Sequence, residues 1–432
     1  MKNQYLNVRT TALAVVLALP VTSAWGAQPG HGETSLGAAE AAFHAEATVV
    51  IDENLTLSDL LSRTLERHPG SGVLKAGQAT VAAEEKYGSR WIPGATELSG
   101  FHLSDRQLDD TGVYENEAAL NFPLWLPGEK KAQTALGEAM SISQASREAE
   151  FHWQISGLLR RQSWELLIAR RQYELAKEQE QRLADLLDQV TLFTEVGDTS
   201  RADLLDTMQE LAQWKAERMT LEASFQDAAR EFIALTGSFH LPATLKETLS
   251  TQQEVSDAHP VLRRALDDMT EASAEAEAVS QANSVRPSVN VFWRGYRGDR
   301  ASPDVNALGL GFSMPLGKSP SRRPEIARAN EELAKAEAGM LLTRRELDLQ
   351  LHEAEHQLHV TRQKLDNSTA MMASATEKYQ LDKLSFELGE ISVRQWLRRL
   401  SEYKEIEQSH ELLLLQQGAA VAAYNQAVGE SL

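Results

Sequence analysis

The chain contains no cysteine. Disulfides, thiolate catalysis and thiolate metal sites are therefore excluded, as is a lipid carried on an N-terminal cysteine. Positive charge is also in deficit: 43 Lys and Arg stand against 62 Asp and Glu, a formal charge of -19, which opposes broad binding to phosphate backbones. Nucleic acid is not an expected partner. Gly (25) and Pro (13) are few among 432 residues and are clustered, which favours long uninterrupted helices. Beyond the N-terminus no run of 18 apolar residues occurs, so the mature chain has no candidate transmembrane helix. Catalytic constellations are missing as well. His352 and His356 lack the glutamate placement of a zinc hydrolase motif, no glycine loop for phosphate is present, and the scattered Ser, His and Asp have no strand-turn-helix context. Neither an enzyme nor a bound cofactor is expected.

What is present begins with an export signal. Lys2 and Arg9 precede the apolar stretch Thr11 to Val21 and the small-residue site Ala24-Trp25-Gly26, so residues 1–26 read as a cleavable secretory peptide. Residues 27–54 have no clear period and are expected to form a flexible extension.

The rest of the chain reads as a duplication. His68-Pro69 recurs as His259-Pro260, Pro93 as Pro287, Pro123 as Pro315, Gly197 as Gly389, Ser200 as Ser392 and Gly237 as Gly429, at offsets of 191, 194, 192, 192, 192 and 192 residues. An ordered series at a nearly constant offset points to two copies of one unit, spanning 55–237 and 259–429, with a linker at 238–258 and a tail at 430–432. In each copy a first helix (about Leu57 to Tyr87, or Val261 to Ala282) ends before a proline. Two short alternating segments follow. A very long helix then starts near Glu129 or Arg323, reverses at Gly197 or Gly389, and returns as a last helix to Gly237 or Gly429. A helix of roughly 65 residues is about 100 Å long, wider than any compact domain. Its apolar positions Ile155, Leu158, Leu159, Leu166, Tyr173, Leu183, Leu187 and Val190 form a thin stripe. Such a rod packs in a coiled-coil manner or forms the wall of a hollow cylinder.

The short segments 95–103, 113–125, 288–296 and 304–314 are expected to be strands of about ten residues, the length of a tilted bilayer-spanning strand. Leu308, Leu310, Phe312 and Met314 alternate with Ala307, Gly309, Gly311 and Ser313; Tyr114, Ala118, Leu120, Phe122 and Leu124 alternate with Glu115, Glu117 and Asn121. Carboxylates on one face suit a watery lumen. Trp91, Trp125, Trp293 and Tyr296 stand near strand ends, where interfacial aromatics belong. An ordinary half-buried sheet shows the same alternation, so the strands alone leave both readings open. If they span a membrane, four cannot enclose a channel and several chains must share one barrel.

This combination resembles the TolC-like outer membrane efflux factors, over Leu55 to Gly429. The most specific local match is the turn from Glu195 through Val196, Gly197, Asp198, Thr199 and Ser200 to Asp206, repeated from Glu387 through Leu388, Gly389, Glu390, Ile391 and Ser392 to Arg398. The resemblance implies a mainly α fold with a small membrane β part. Three copies would share a twelve-stranded barrel in the outer membrane lipid and a twelve-helix tunnel through the periplasm. It implies a homotrimer, with a periplasmic adaptor and an inner-membrane pump docking at tips built on Gly197 and Gly389. The first tip carries Asp203 and Asp206 where the second carries Gln395 and Arg398. By resemblance, Asp203 and Asp206 would belong to an acidic entrance ring, paired with Arg398 or Arg399 of a neighbouring hairpin; alternatively Asp203 simply favours its helix dipole and Ser200 or Thr199 caps the helix.

His352, His356 and His359 lie at i, i+4 and i+7, a spacing able to chelate a transition metal, or to form a solvent-facing row. With the missing lipid anchor, they suggest the heavy-metal (CzcC-like) branch and heavy-metal cations as cargo. The competing class is an exported coiled-coil stalk or adaptor without a channel, which would not need the strand pairs.

Overall fold

The computed structural model describes residues 49–432 except Lys318, so the expected signal and residues 27–48 of the extension lie outside the described residues. The end of that extension corrects the expectation. Val50–Asp52 form strand β1, which pairs in parallel with β4 (His240–Pro242) from the linker, and the Val50 N–H donates to the Phe239 carbonyl at 2.9 Å. A three-residue strand has too few positions to show a period.

The first copy comprises α1 (Leu57–Arg67), α2 (Gly70–Ser89), β2 (Glu97–Ser104), β3 (Tyr114–Pro123), α3 (Glu129–Glu195) and α4 (Arg201–Thr236). The second comprises α5 (Pro260–Gln281), β5 (Ser288–Arg297), β6 (Val305–Ser313), α6 (Arg323–Glu387) and α7 (Val393–Ala427). The single helix expected from Leu57 to Tyr87 is two helices. His68 leaves helical geometry (ψ 132) because the following Pro69 ring disfavours the α conformation at its predecessor. The repeated His-Pro pair does the same work in both copies. The Nδ1 of His68 accepts from Gly70 N–H at 3.1 Å and that of His259 from Val261 N–H at 3.2 Å. Each ring meets an aromatic of α3 edge-on, Phe151 at 5.3 Å and Trp153 at 5.1 Å.

The rods have the expected length: α3 has 67 residues and α6 has 65, each about 100 Å. Both α7 and α5 pack against α3 and α6, so two shorter helices succeed one another between the rods and meet where Gly429 abuts His259. Among the described residues burial is spread over three small cores rather than one. Leu60, Leu61, Ile155, Leu159, Phe232 and Leu241 anchor the first, Leu262, Leu347, Leu351 and Leu358 the second, and Leu183, Val190, Leu211, Trp396 and Leu400 the third, near the tips. Of the expected stripe, Ile155, Leu159, Leu166, Leu183 and Val190 are buried, while Leu158, Tyr173 and Leu187 are half-buried.

An ionic clamp fixes the linker between the copies. Arg160 of α3, 4% exposed, holds both oxygens of Glu247 at 2.9 and 2.7 Å and donates to the Glu430 carbonyl at 2.7 Å. Asn425 of α7 adds bonds to Glu247 at 3.2 Å and to the Thr248 carbonyl at 2.9 Å. Among the described residues no helix is long and apolar enough to cross a membrane.

Candidate functional site

The two hairpins form one four-stranded antiparallel sheet in the order β2-β3-β5-β6, joined across the copies through β3 and β5. Register sorts the side chains into two faces. Leu98, Leu120, Val291 and Leu310 lie in one row, and Gly100, Ala118, Trp293 and Leu308 in the next. Phe122, Val289 and Phe312 extend that apolar face towards the helices. The other face carries Glu97, Asn121 and Asn290 in one row, and Phe101, Glu117, Arg294 and Ala307 in another. The glycines of β6 have a local cause: a Cβ at Gly309 would strike the Phe292 ring, and one at Gly311 the Asn290 amide. Tyr296 stands one residue from the end of β5, as expected, but opposite Glu115 on the polar face; Trp293 lies in mid-strand, not near a strand end as expected. Trp91, between α2 and β2, is 93% exposed, and Leu316, just after β6, is 97% exposed.

One guanidinium ties the sheet to the rods. Arg286, between α5 and β5, donates to the Pro93 carbonyl at 3.0 Å, Tyr87 Oη at 3.3 Å and Glu129 at 2.7 Å, and lies 5.6 Å from the Trp125 ring. Trp125 in turn donates to the Arg90 carbonyl at 3.1 Å.

At the far ends the two tips share one backbone. Gly197 (φ +87) and Gly389 (φ +73) occupy the left-handed region with nothing within 4 Å of a built Cβ, so conformation and not space requires glycine there. The next N–H closes each helix end, Asp198 onto the Phe193 carbonyl and Glu390 onto the Ser385 carbonyl, both at 2.9 Å. Ser200 and Ser392 then cap the returning helices, accepting from Asp203 N–H at 3.2 Å and Gln395 N–H at 3.3 Å.

Asp203 therefore has a capping role: its Oδ2 accepts from Ser200 Oγ at 2.7 Å, as Gln395 Oε1 accepts from the Ser392 N–H at 3.1 Å. Asp206 is ion-paired across the hairpins, but with Arg394 at 2.7 and 3.0 Å. Within one chain the partner is thus Arg394, and neither Arg398 nor Arg399 meets Asp203 or Asp206. Arg398 points along its own helix to Glu402 at 3.1 Å, and Arg399 holds Asp382. Lys378 and Arg398 together hold the Glu402 carboxyl below its ordinary range. His352, His356 and His359 are all exposed on α6, and among the described residues no group of three or more His, Asp or Glu is placed to hold a metal ion.

The sequence matches no family model and no curated protein. Solved structures do match. The outer membrane protein VceC of Vibrio cholerae superposes with a TM-score of 0.67 at 14% identity, covering 87% of this chain and 96% of that one. The chain has the TolC-like outer membrane channel fold. The Campylobacter jejuni CmeC outer membrane channel shares it (TM-score 0.64, 14% identity, 86% and 85% covered), as does the open state of the Neisseria gonorrhoeae MtrE outer membrane channel (0.60, 14%, 86% and 88%). These TolC-like neighbours are channels and not enzymes. Identity this low carries shape and not side chains, so the TolC-like fold assigns no role to the tip charges or the imidazole row.

Proposed function

We propose that three copies of this chain close a twelve-stranded barrel in the outer membrane and continue it as a twelve-helix tunnel into the periplasm. The assembly serves as the channel component of a tripartite efflux system. The carrying observation is the open, two-faced sheet. Within the chain β2 and β6 each have one unpaired edge among the described residues, a bilayer cannot satisfy such edges, and four strands enclose no channel. Joining β6 of one copy to β2 of the next, antiparallel like the other pairs of this sheet, satisfies both. The Leu98 to Leu310 rows then face lipid and the Glu117 to Arg294 row faces water. An exported stalk would have no use for this sheet.

A periplasmic adaptor and an inner-membrane pump dock at the tips around Gly197 and Gly389, and Asp203 and Asp206 line the entrance. Heavy-metal cations are the cargo reading; its support is the exposed imidazole row of His352, His356 and His359. Export from a strain stripped of its own channel tests the whole: an SDS-resistant, heat-dissociable trimer in outer membranes that conducts in planar bilayers is expected. Recovery as a soluble periplasmic protein without detergent would sink it. The entrance role fails if Asp203→Ala with Asp206→Ala leaves conductance and its pH dependence unchanged.

A further inference from the structure

The polar face of the sheet is not evenly charged. The first copy's hairpin contributes Glu97, Glu115 and Glu117, and the second copy's contributes Arg294 and no acid. The guanidinium of Arg294 bridges two carboxylates of β3: Nε and Nη2 donate to Glu117 at 3.1 and 2.7 Å, and Nε lies 3.0 Å from Glu115. Its Cζ lies 5.6 Å from the centre of the Phe292 ring, and Ala307 and Gly309 beside it on β6 add no bulk. All three charged side chains keep access to water, with exposures of 45%, 32% and 24%.

Resting on the channel reading above, we propose that Arg294 sets the ion selectivity of the barrel. In the trimer its three copies are the only cations on a lumen face that otherwise carries carboxylates, among the described strand residues. They moderate a cation preference that the glutamates alone would make steep. Rings of like charge select ions through their field. That field reaches about 8 Å at physiological ionic strength and only about 3 Å at 1 M salt, so the effect of Arg294 must fade as salt rises. A cross-strand ion pair that merely steadied the sheet would leave selectivity unmoved.

Reversal potentials of single channels in a KCl gradient are the readout. Arg294→Gln is expected to raise the potassium-to-chloride permeability ratio about threefold at low salt, Arg294→Glu to raise it further, and Arg294→Lys to keep it near the parent value. Glu115→Gln with Glu117→Gln is expected to lower it. Arg297→Gln serves as the control, because Arg297 lies on the other face, 5.0 Å from the Tyr114 ring, and is expected to change nothing. An unchanged ratio in both Arg294→Gln and Arg294→Glu channels overturns the proposal and leaves the channel reading intact, as does an equal shift in Arg297→Gln. Absence of any conductance from the unmodified trimer overturns the channel reading, and this proposal with it.

Discussion

The two copies of the repeat agree in their turns and disagree in their charges. Gly197 and Gly389, Ser200 and Ser392, and His68 and His259 make matching backbone bonds, because a left-handed turn, a helix cap and a His-Pro start tolerate few residue types. Charges that touch across the copies have instead become complementary, and the direction alternates along the molecule. At the sheet and at the tips the second copy supplies the cation: Arg294 to Glu115 and Glu117, Arg286 to Glu129, Arg394 to Asp206. Along the rods the first copy supplies it: Arg147 to Glu271 at 3.1 Å, Arg171 to Glu411 and Arg182 to Glu407, both at 3.4 Å. Duplicates that complement one another in this way favour pairing within one chain at one register over sliding along featureless rods.

Breaking that comparison is easiest where the charges are buried. Arg160→Ala strands Glu247 in the clamp, and denaturant unfolding is expected to record a loss of about 3–5 kcal/mol. A smaller effect, confined to acid, is expected from His259. Burial holds its pKa below the ordinary 6.5, so the folded imidazole is neutral and the unfolded chain takes up the proton first. The stability this neutral ring contributes is present above that ordinary value and is lost as pH falls through it, by at most about 1.4 kcal/mol per pH unit. His259→Asn, which can still accept from the Val261 N–H, is expected to flatten the slope of stability between pH 7 and 5. Smaller again, Gly197→Ala and Gly389→Ala are each expected to cost about 1 kcal/mol, and clearly unequal thermal shifts would contradict the equivalence of the tips. Arg394→Ala removes an exposed pair and is expected to change stability by under about 1 kcal/mol; its effect belongs in channel conductance.

The rods and strands were legible because their ends are marked by residues with a local cause. Glu129 and Arg323 were expected as helix starts and begin α3 and α6, and the strands fall within about two residues of the expected bounds. The break at Pro69 departs from the single helix expected over Leu57 to Tyr87, although its effect on His68 is the same that ends helices elsewhere. The tip pairing was not legible. Asp206 and Arg394 are 188 residues apart, and alignment of the copies draws attention to Arg398, one turn further along the helix. Which arginine crosses to the other hairpin depends on how α4 and α7 face each other, and no local pattern encodes that rotation.

The shared barrel is tested most directly by its seam. The natural chain has no cysteine, so pairs of cysteines can be scanned along β2 and β6 and oxidised in outer membranes. Within one chain β3 and β5 keep those two edges about 14 Å apart, beyond the reach of a disulfide. A barrel of three chains predicts that at the correct register denaturing gels without reductant show a covalent ladder ending at the trimer. Monomer alone at every register, or a ladder that continues past three chains, would contradict it.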